Sequence, residues 1–436
     1  MGKAELRQRA RVEKNRRIRE SLQTTRERRQ AQRPITVLCK LQNLSKRKIS
    51  MLRRAFLEAK WLWNWLVEDP GRLKLELNKV EEVWVRAGER TECRSLEILG
   101  SQTKQAIGAK AAEAFRSVAA LRQNGHRAGR VGFKRFFSCI PFKQPGKDFE
   151  IRGNRVRLQN LGWFRVLGTH QIPENAEIAK AELLWKPSGF YIAVTAYIPK
   201  DTSPPRRDRK GRIRLPRAER FGKPTAVDLG VHDQVALPNG LKVRWEVPES
   251  PRLKRLQRRL ARKKKGSRNR QRTLQLLRRE HERVTNRRRE CINRMFGFLR
   301  LYEAVTFHDD HIAAWQRVFG GRIQHSSPGA LRRRMRAILP TLEVGCREPT
   351  TKTCAECGSV QEMALGERIF RCRECGWETD RDTNAALNIL RIGLGLRNGH
   401  TDGAVPPDWR ELTPPELEAA GRILGASPWI RLSFPQ

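Results

Sequence analysis

The sequence predicts a mixed α/β protein in which a small β-barrel with a helical insertion precedes a second, α/β domain. Alternating apolar runs in residues 35–199 favour strands joined by hairpins. From residue 223 onwards, short apolar runs are separated by helical stretches, which favours an α/β domain. Two CxxC pairs near the C-terminal end predict a metal ribbon within it. The 436 residues are enough for two or three domains.

Charge indicates the class of partner. The chain holds 90 Lys and Arg residues against 46 Asp and Glu residues, a formal net charge of +44. Such an excess opposes compaction unless RNA, DNA or an anionic membrane neutralises it. No run of about 18 uninterrupted apolar residues occurs, and the first residues are too charged for a secretory signal. We therefore expect a cytoplasmic nucleic-acid-binding protein with no membrane partner.

The N-terminal residues 1–34 form a basic arm, with 11 basic and 4 acidic residues before Arg33 and no apolar periodicity. This composition predicts a flexible or helical segment that either orders on nucleic acid or stays solvated. Residues 35–41 predict a strand, and Ser45 predicts the N-cap of a helix that runs through Leu66. Trp61, Trp63 and Trp65 at its end are expected in the core rather than as base-stacking platforms.

The barrel is predicted to span residues 35–200, with the helical insertion at about residues 45–130. A second, Ala-rich helix is predicted at residues 96–122. Two hairpins follow, one turning at Gly153-Asn154 and one with its turn between Lys186 and Gly189. Basic, Pro- and Gly-punctuated residues 201–223 predict a linker.

Residues 251–290 carry 18 basic and 3 acidic residues. Leucines at helical spacing on either side of Gly266-Ser267 predict a helical hairpin with a thin apolar stripe and broad cationic faces. At this density like-charge repulsion favours phosphate contact over a merely solvated face. The candidate nucleic-acid contacts are Arg255, Arg258, Arg259, Arg262, Lys263, Lys264 and Lys265.

The two CxxC pairs are Cys354 with Cys357 and Cys372 with Cys375, separated by 14 residues. Two such pairs supply a tetrahedral thiolate set, which predicts structural zinc, with iron as the alternative metal. A glycine follows each pair, where a tight turn favours a residue without Cβ. The other five cysteines are scattered, which is typical of metal binding in a reducing compartment rather than of a disulfide framework.

Carboxylates stand at positions suited to magnesium. Asp228 ends a predicted strand, and Asp380 and Asp382 stand where the ribbon runs into a helix. Carboxylates on separate elements are what a two-metal phosphodiesterase needs. Taken singly, Asp382 could instead cap its helix and Asp228 could lie in a turn.

The chain carries, in this order, VDLG around Asp228, the basic hairpin, the strand AVTF at residues 304–307, the CxxC pairs and DRDTNAALNIL at residues 380–390. This ordered set resembles the TnpB proteins and their descendants, the type V CRISPR effectors. The resemblance covers residues 225–390 and is architectural over residues 35–199. It implies an RNase H-like (RuvC) domain, residues 224–397, with an inserted zinc ribbon at residues 351–378 and the basic hairpin. It also implies a wedge-type β-barrel with a helical recognition insertion. Apart from the resemblance, residues 398–436 predict a Pro-rich tail, in which Thr413-Pro414-Pro415-Glu416 resembles a capping box and predicts a short surface helix.

The resemblance further implies a protein that binds guide RNA, reads a short motif beside a double-stranded DNA target and opens an R-loop. Many members then cut DNA with an Asp, Glu, Asp triad. By position the first is Asp228 and the third lies in the Asp380/Asp382 pair, with Asp382 preferred. At the second position this chain has His308, followed by Asp309 and Asp310.

This departure makes weak or absent cleavage the expectation, because neutral imidazole is a poor ligand for Mg²⁺. The Asp-His-Asp set resembles the type V-M effectors, which silence DNA by binding. Asp309 would point away from His308 on a strand, although a bulge or the strand's end would let Asp309 or Asp310 reach the metal. The alternatives are an active RNA-guided nuclease and a structural zinc-ribbon RNA-binding protein. Whether the guide RNA holds a monomer or a homodimer stays open.

Overall fold

The computed structural model describes residues 3–88, 90–200, 206–207, 213–214, 221–338, 341–364, 366–395 and 405–435. The chain forms two compact units, Met1–Pro216 and Arg217–Gln436. The linker predicted at residues 201–223 and the first part of the predicted tail lie largely outside the described residues. No helix in the described part is both long enough and apolar enough to cross a lipid bilayer.

In the described residues the first unit contains three helices and eleven strands. The helices are α1 (Lys3–Gln30), α2 (Lys46–Glu68) and α3 (Ser101–Gln123), with 3-10 turns at Pro70–Lys74, Leu77–Lys79 and Thr169–Gln171. The strands are β1 (Gln32–Gln42), β2 (Glu82–Ala87), β3 (Arg90–Ser95), β4 (Cys139–Phe142), β5 (Phe149–Arg152), β6 (Arg155–Leu158), β7 (Gly162–Leu167), β8 (Glu177–Lys186), β9 (Gly189–Pro199), β10 (Arg206–Arg207) and β11 (Ile213–Arg214).

Helix α2 follows the sequence pattern. The Ser45 side chain accepts a hydrogen bond from Lys48 N, a cap that stabilises a helix by about 1 kcal/mol. One face of the helix, which includes Leu52, Phe56 and Ala59, is buried, and Phe56 is in ring contact with Phe190 at 6.1 Å between centroids. Trp63 is buried and Trp61 and Trp65 pack against the same core, so the prediction that these tryptophans belong to the core is confirmed.

Seven strands of the first unit form one antiparallel sheet in the order β4-β8-β9-β1-β7-β6-β5. Both predicted hairpins are present: β5 with β6 around Gly153-Asn154, and β8 with β9, where Lys186 pairs with Gly189. In the described residues β4 and β5 are the edges of this sheet, so strand pairing gives an open sheet and the closed barrel stays a prediction. The sequence did not predict the hairpin β2–β3, whose strands pair along their whole length.

The second unit contains eight helices and eight strands within the described residues. The helices are α4 (Pro251–Ala261), α5 (Arg268–Leu299), α6 (Ile312–Phe319), α7 (Gly321–Ser326), α8 (Pro328–Ile338), α9 (Arg381–Gly393), α10 (Pro407–Arg410) and α11 (Pro414–Ile423). The strands are β12 (Thr225–Val227), β13 (Val235–Ala236), β14 (Lys242–Trp245), β15 (Val305–His308), β16 (Thr341–Val344), β17 (Ile369–Arg371), β18 (Glu378–Asp380) and β19 (Ile430–Ser433).

Two three-stranded sheets meet at Asp228. Strands β12, β15 and β16 are parallel neighbours, and β13, β14 and β19 are antiparallel neighbours. A backbone bridge between Asp228 and Ala236 joins β12 to β13. The continuous strand order is therefore β16-β15-β12-β13-β14-β19, with Asp228 at the centre of the row.

Residues 405–435 are part of this unit rather than a tail on its surface. The capping box predicted at Thr413 and Glu416 is present at the start of α11. The helix is not a surface helix on all sides, because Ala419 and Ala420 are buried in the core against α5. Strand β19 then pairs with β14 and completes the sheet.

Candidate carboxylate site and metal ribbon

Asp228 and His308 lie side by side at the carboxyl ends of neighbouring parallel strands. They directly follow Val227 and Phe307, which are register partners in β12 and β15. Residues in register on adjacent strands project from the same face of a sheet. Strand geometry therefore brings these two predicted site residues together, although they are 80 positions apart in the chain.

Helix α9 brings Asp382 to the same place. The helix packs across β12 and β15, and at Gly393 it approaches so closely that a Cβ would collide with the Thr306 side chain. Asp380 is the N-cap, with Oδ1 accepting from Asp382 N at 2.9 Å and from Thr383 N at 3.1 Å. The capping role that the sequence left open for Asp382 thus belongs to Asp380, and the Asp382 carboxylate is not used for capping.

The carboxylates form an electrostatic cluster around Asp228. Burial, followed by the charges of Asp382 and Asp310, raises the pKa of the Asp228 carboxyl well above its usual range. Asp380 adds to this effect and Arg381 opposes it. Crowded carboxylates of this kind favour a bound cation or a shared proton, since either relieves their mutual repulsion.

His308 binds the second of the two aspartates that follow it. Its Nδ1 lies 2.8 Å from Asp310 Oδ1, and this hydrogen bond is the main cause of a raised His308 pKa. Asp309 lies elsewhere: its Oδ1 accepts from Arg332 at 2.9 Å and from Arg336 at 3.1 Å, both on α8. Of the two aspartates, the structure brings Asp310 to the cluster and does not bring Asp309 there.

Basic side chains also reach the cluster. Lys242 Nζ is 2.6 Å from Asp380 Oδ2 and 3.7 Å from Asp382 Oδ2. Arg381 Nε is 3.5 Å from Asp382 Oδ1. Sequence reasoning missed Lys242, because its place beside the aspartates depends on the pairing of β13 and β14.

The carboxylates of this cluster are the type of ligand that binds magnesium, but their oxygen atoms are not spaced closely enough to hold one ion. Carboxylate oxygens are the ligands that Mg²⁺ prefers, and Asp310 Oδ2 is buried without a hydrogen-bond partner. However, in the described part of the chain, the four cysteines are the one group of three or more His, Cys, Asp or Glu residues whose ligand atoms all lie within 4.8 Å. For Asp228, Asp382 and Asp310 to hold one ion, their side chains would have to move closer together.

The four cysteines predicted as ligands do converge. The Cys354 and Cys375 sulfurs are 3.7 Å apart and the Cys357 and Cys372 sulfurs are 3.6 Å apart. Each pair forms the same turn, with Gly358 N donating to Cys354 O and Gly376 N donating to Cys372 O. Both glycines have positive φ, 80° and 73°, so the reason given for them from the sequence is confirmed. This cluster can bind a metal ion.

Three polar side chains of α9 fasten the ribbon to the helix that carries Asp382. Asn384 accepts from Ala355 N at 3.0 Å and donates to Thr353 O at 2.8 Å. Asn388 also donates to Thr353 O, at 2.7 Å, and Arg391 donates to Ala355 O at 2.8 Å. The three are buried and spaced four and three residues apart, which places them on one helix face. That spacing was visible in the sequence, but the ribbon backbone as their partner was not.

The basic segment forms α4 and α5, which pack through Leu253, Leu256 and Leu277. Ser250 caps α4 and also donates to Glu280 Oε1 at 2.9 Å, which ties the two helices together. Of the seven candidate contacts, all but the half-buried Lys263 are exposed. The pair of helices therefore presents a dense cationic surface to solvent.

Comparison with known proteins agrees with these features. Residues 203–298 match the family described as "Probable transposase", and residues 337–389, which contain the ribbon, match "Cas12f1-like, TNB domain". The chain is 31% identical over 184 residues to a Streptomyces pristinaespiralis protein called "Putative RNA-guided DNA endonuclease", covering 38% of this chain and 44% of that one. It is 46% identical over 41 residues to the CRISPR-associated endodeoxyribonuclease Cas12f1 of Sulfoacidibacillus thermotolerans, covering 9% and 10%.

Over the matched segments the chain is similar to the TnpB-like and Cas12f1 proteins. The family resemblance seen in the sequence is thereby confirmed. The matched segments span less than half the length of both relatives described above. A solved Cas12f1–sgRNA–target DNA complex is similar at a TM-score of 0.38 and 13% identity, covering 66% of this chain and 71% of that one.

Proposed function

We propose that this TnpB-like protein binds a guide RNA and a matching double-stranded DNA target as an R-loop, and that it acts mainly by binding rather than cutting. The proposal that the protein binds DNA rather than cutting it rests on His308. This residue stands at the second acidic position of the RuvC-type triad and binds Asp310. An imidazole brings no negative charge to hold two divalent ions together.

The strand order of the second unit supports an RNase H-like core, and with it the proposal. The row β16-β15-β12-β13-β14-β19 places three parallel strands beside an antiparallel group, and the candidate carboxylates lie where β12 ends and where α9 begins. In this reading Asp228 and Asp382 are the ligands for Mg²⁺. Asp380 serves as the helix cap beside them.

Zinc is the metal we assign to the four cysteines. Thiolate sets of this kind are typical of closed structural zinc sites. The zinc ion also helps to position Asp382. Asn384 and Asn388 donate hydrogen bonds to Thr353 O, and these bonds link the ribbon to the helix that carries Asp382.

The cationic surface of α4 and α5 is the proposed contact for the guide RNA or the RNA–DNA duplex. Phosphate contacts of this sort are independent of sequence, so target choice would come from base pairing and from a short flanking motif. The exposed arginines at positions 255, 258, 259 and 262 supply the charge.

A second candidate function is an active RNA-guided nuclease. The observation that favours it is Asp310, whose charge reaches Asp228 and whose Oδ2 is free of hydrogen bonds. A rotation of Asp310 away from His308 would supply a third carboxylate.

The experiment is to express the protein with its native locus, purify it and sequence the bound RNA. DNA that matches the variable part of that RNA is then compared with mismatched DNA in a binding assay. We expect a defined RNA species and selective binding of matched DNA. A heterogeneous RNA population with no selectivity would support the structural RNA-binding alternative instead.

A further inference from the structure

Lys242 reaches the carboxylate cluster along a row of residues that crosses the sheet. Asp228 bridges Ala236 on β13, and Ala236 is the register partner of Lys242 on β14. Directly opposed residues in antiparallel strands project from the same face. Because the residue between them is alanine, the lysine side chain has room to extend over it towards the aspartates.

The lysine is held inside this cluster rather than in solvent. Its side chain is 18% exposed, and its Nζ is 2.6 Å from Asp380 Oδ2 and 3.7 Å from Asp382 Oδ2. Asp380 uses its other oxygen as the helix cap. The ammonium therefore neutralises carboxylates in the region where the proposed function requires divalent ions.

We propose that Lys242 is a built-in counter-cation of the carboxylate cluster and that it lowers the affinity of this site for divalent ions. The inference rests on the proposed RuvC-like site and adds a second cause for weak cleavage, independent of His308. An ion bound to Asp382 is repelled by the ammonium, and it also competes with it for the same carboxylate charge. Coulomb interactions over such distances are strong in a partly buried site.

The test measures metal binding directly. Mn²⁺ is titrated into full-length, nucleic-acid-free, zinc-loaded protein, and free Mn²⁺ is followed by electron paramagnetic resonance. The variants are Lys242→Met and Lys242→Gln, which remove the charge, and Lys242→Arg, which keeps it. Lys254→Met removes an exposed lysine of α4 and is the matched control for net charge. Circular dichroism and zinc content show which variants are folded.

We expect Lys242→Met and Lys242→Gln to bind Mn²⁺ at least tenfold more tightly than the wild type, and Lys242→Arg and Lys254→Met to resemble the wild type. Adding Asp228→Asn to Lys242→Gln should abolish the gained site. Unchanged or weaker Mn²⁺ binding by the folded charge-removing variants would overturn the proposal and make Lys242 a structural clamp for Asp380. Guided DNA binding by the wild-type protein is measured in a separate experiment. Failure of the Lys242 proposal can therefore be distinguished from failure of the proposed function.

Discussion

His308 Nδ1 and Asp310 Oδ1 are 2.8 Å apart at the end of β15, and both side chains are largely buried. The hydrogen bond holds one oxygen of Asp310 on the imidazole while the charge of the same carboxylate acts on Asp228. In the proposed RuvC-type site, the second acidic position is thus occupied by a histidine–aspartate pair. Whether this pair prevents or permits metal chemistry separates the two candidate functions.

Replacing His308 by glutamate should restore the missing carboxylate. In the guide-bound complex we expect His308→Glu to raise Mg²⁺-dependent cleavage of target DNA by at least about tenfold, the equivalent of about 1.4 kcal/mol in the barrier. The readout is the rate of plasmid nicking and linearisation. Asp228→Asn in the same background should remove the gain.

The two aspartates after His308 should behave differently on substitution. In the His308→Glu background, Asp310→Asn should change Mn²⁺ affinity because Asp310 belongs to the cluster. Asp309→Asn should leave it unchanged, since Asp309 pairs with Arg332 and Arg336. Equal effects of both substitutions would contradict the placement of these side chains.

Zinc removal should affect the carboxylate site as well as the ribbon. We expect Cys372→Ser to lose the metal, measured by elemental analysis, and to speed amide hydrogen exchange in the first turns of α9. The cause is loss of the ribbon backbone that Asn384 and Asn388 bind. The exposed Cys346, which lies outside the metal cluster, gives the control Cys346→Ser. Exchange in α9 that stays slow without zinc would show that the helix is positioned without the ribbon.

RNA affinity should depend steeply on salt and on the surface of α4 and α5. Alanine at Arg258, Arg259 and Arg262 together should reduce the slope of log affinity against log salt by about 2 to 3, since each phosphate contact contributes about 0.7 to 0.9. Alanine at Arg368, Arg371 and Arg373 in the ribbon removes the same charge and should change the slope less. Equal slopes for the two variants would argue against a specific role for α4 and α5.

The buried ion pair of Lys223 and Glu416 should stabilise the second unit. Lys223 Nζ is 3.1 Å from Glu416 Oε2, and the two side chains are 7% and 0% exposed. Lys223→Met leaves the carboxylate without its counter-charge, which typically costs about 3–5 kcal/mol. Urea unfolding measures the loss, and the exposed Lys254→Met should change stability by no more than about 0.5 kcal/mol.

Local patterns predicted the elements of the first unit well. Ser45 and the apolar spacing after it fix α2, and the residues at Gly153-Asn154 and Pro187-Ser188 fix two hairpins, because caps and turns depend on neighbours in sequence. The hairpin β2–β3 was missed, since its residues, apart from the buried Val83, are mostly exposed and carry no clear alternation.

The site was predictable only in part, because strand pairing brings some of its side chains together from distant places in the sequence. The cysteines were identifiable from their spacing, and the roles of Asp228, His308 and Asp382 from motifs that the resemblance supplied. Lys242 was not, because only the register of β12, β13 and β14 places it beside Asp380. The choice of Asp310 over Asp309 likewise required the end of β15 and the arginines of α8.

The most direct test of the account is to incubate the purified guide complex with a matched supercoiled plasmid in Mg²⁺, and to follow target binding and plasmid topology in the same sample. We predict stable, guide-dependent binding with the plasmid left supercoiled, and cleavage only after His308 is replaced by glutamate. Rapid linearisation of the plasmid by the wild-type complex would contradict the account and show that Asp310 completes a working nuclease site.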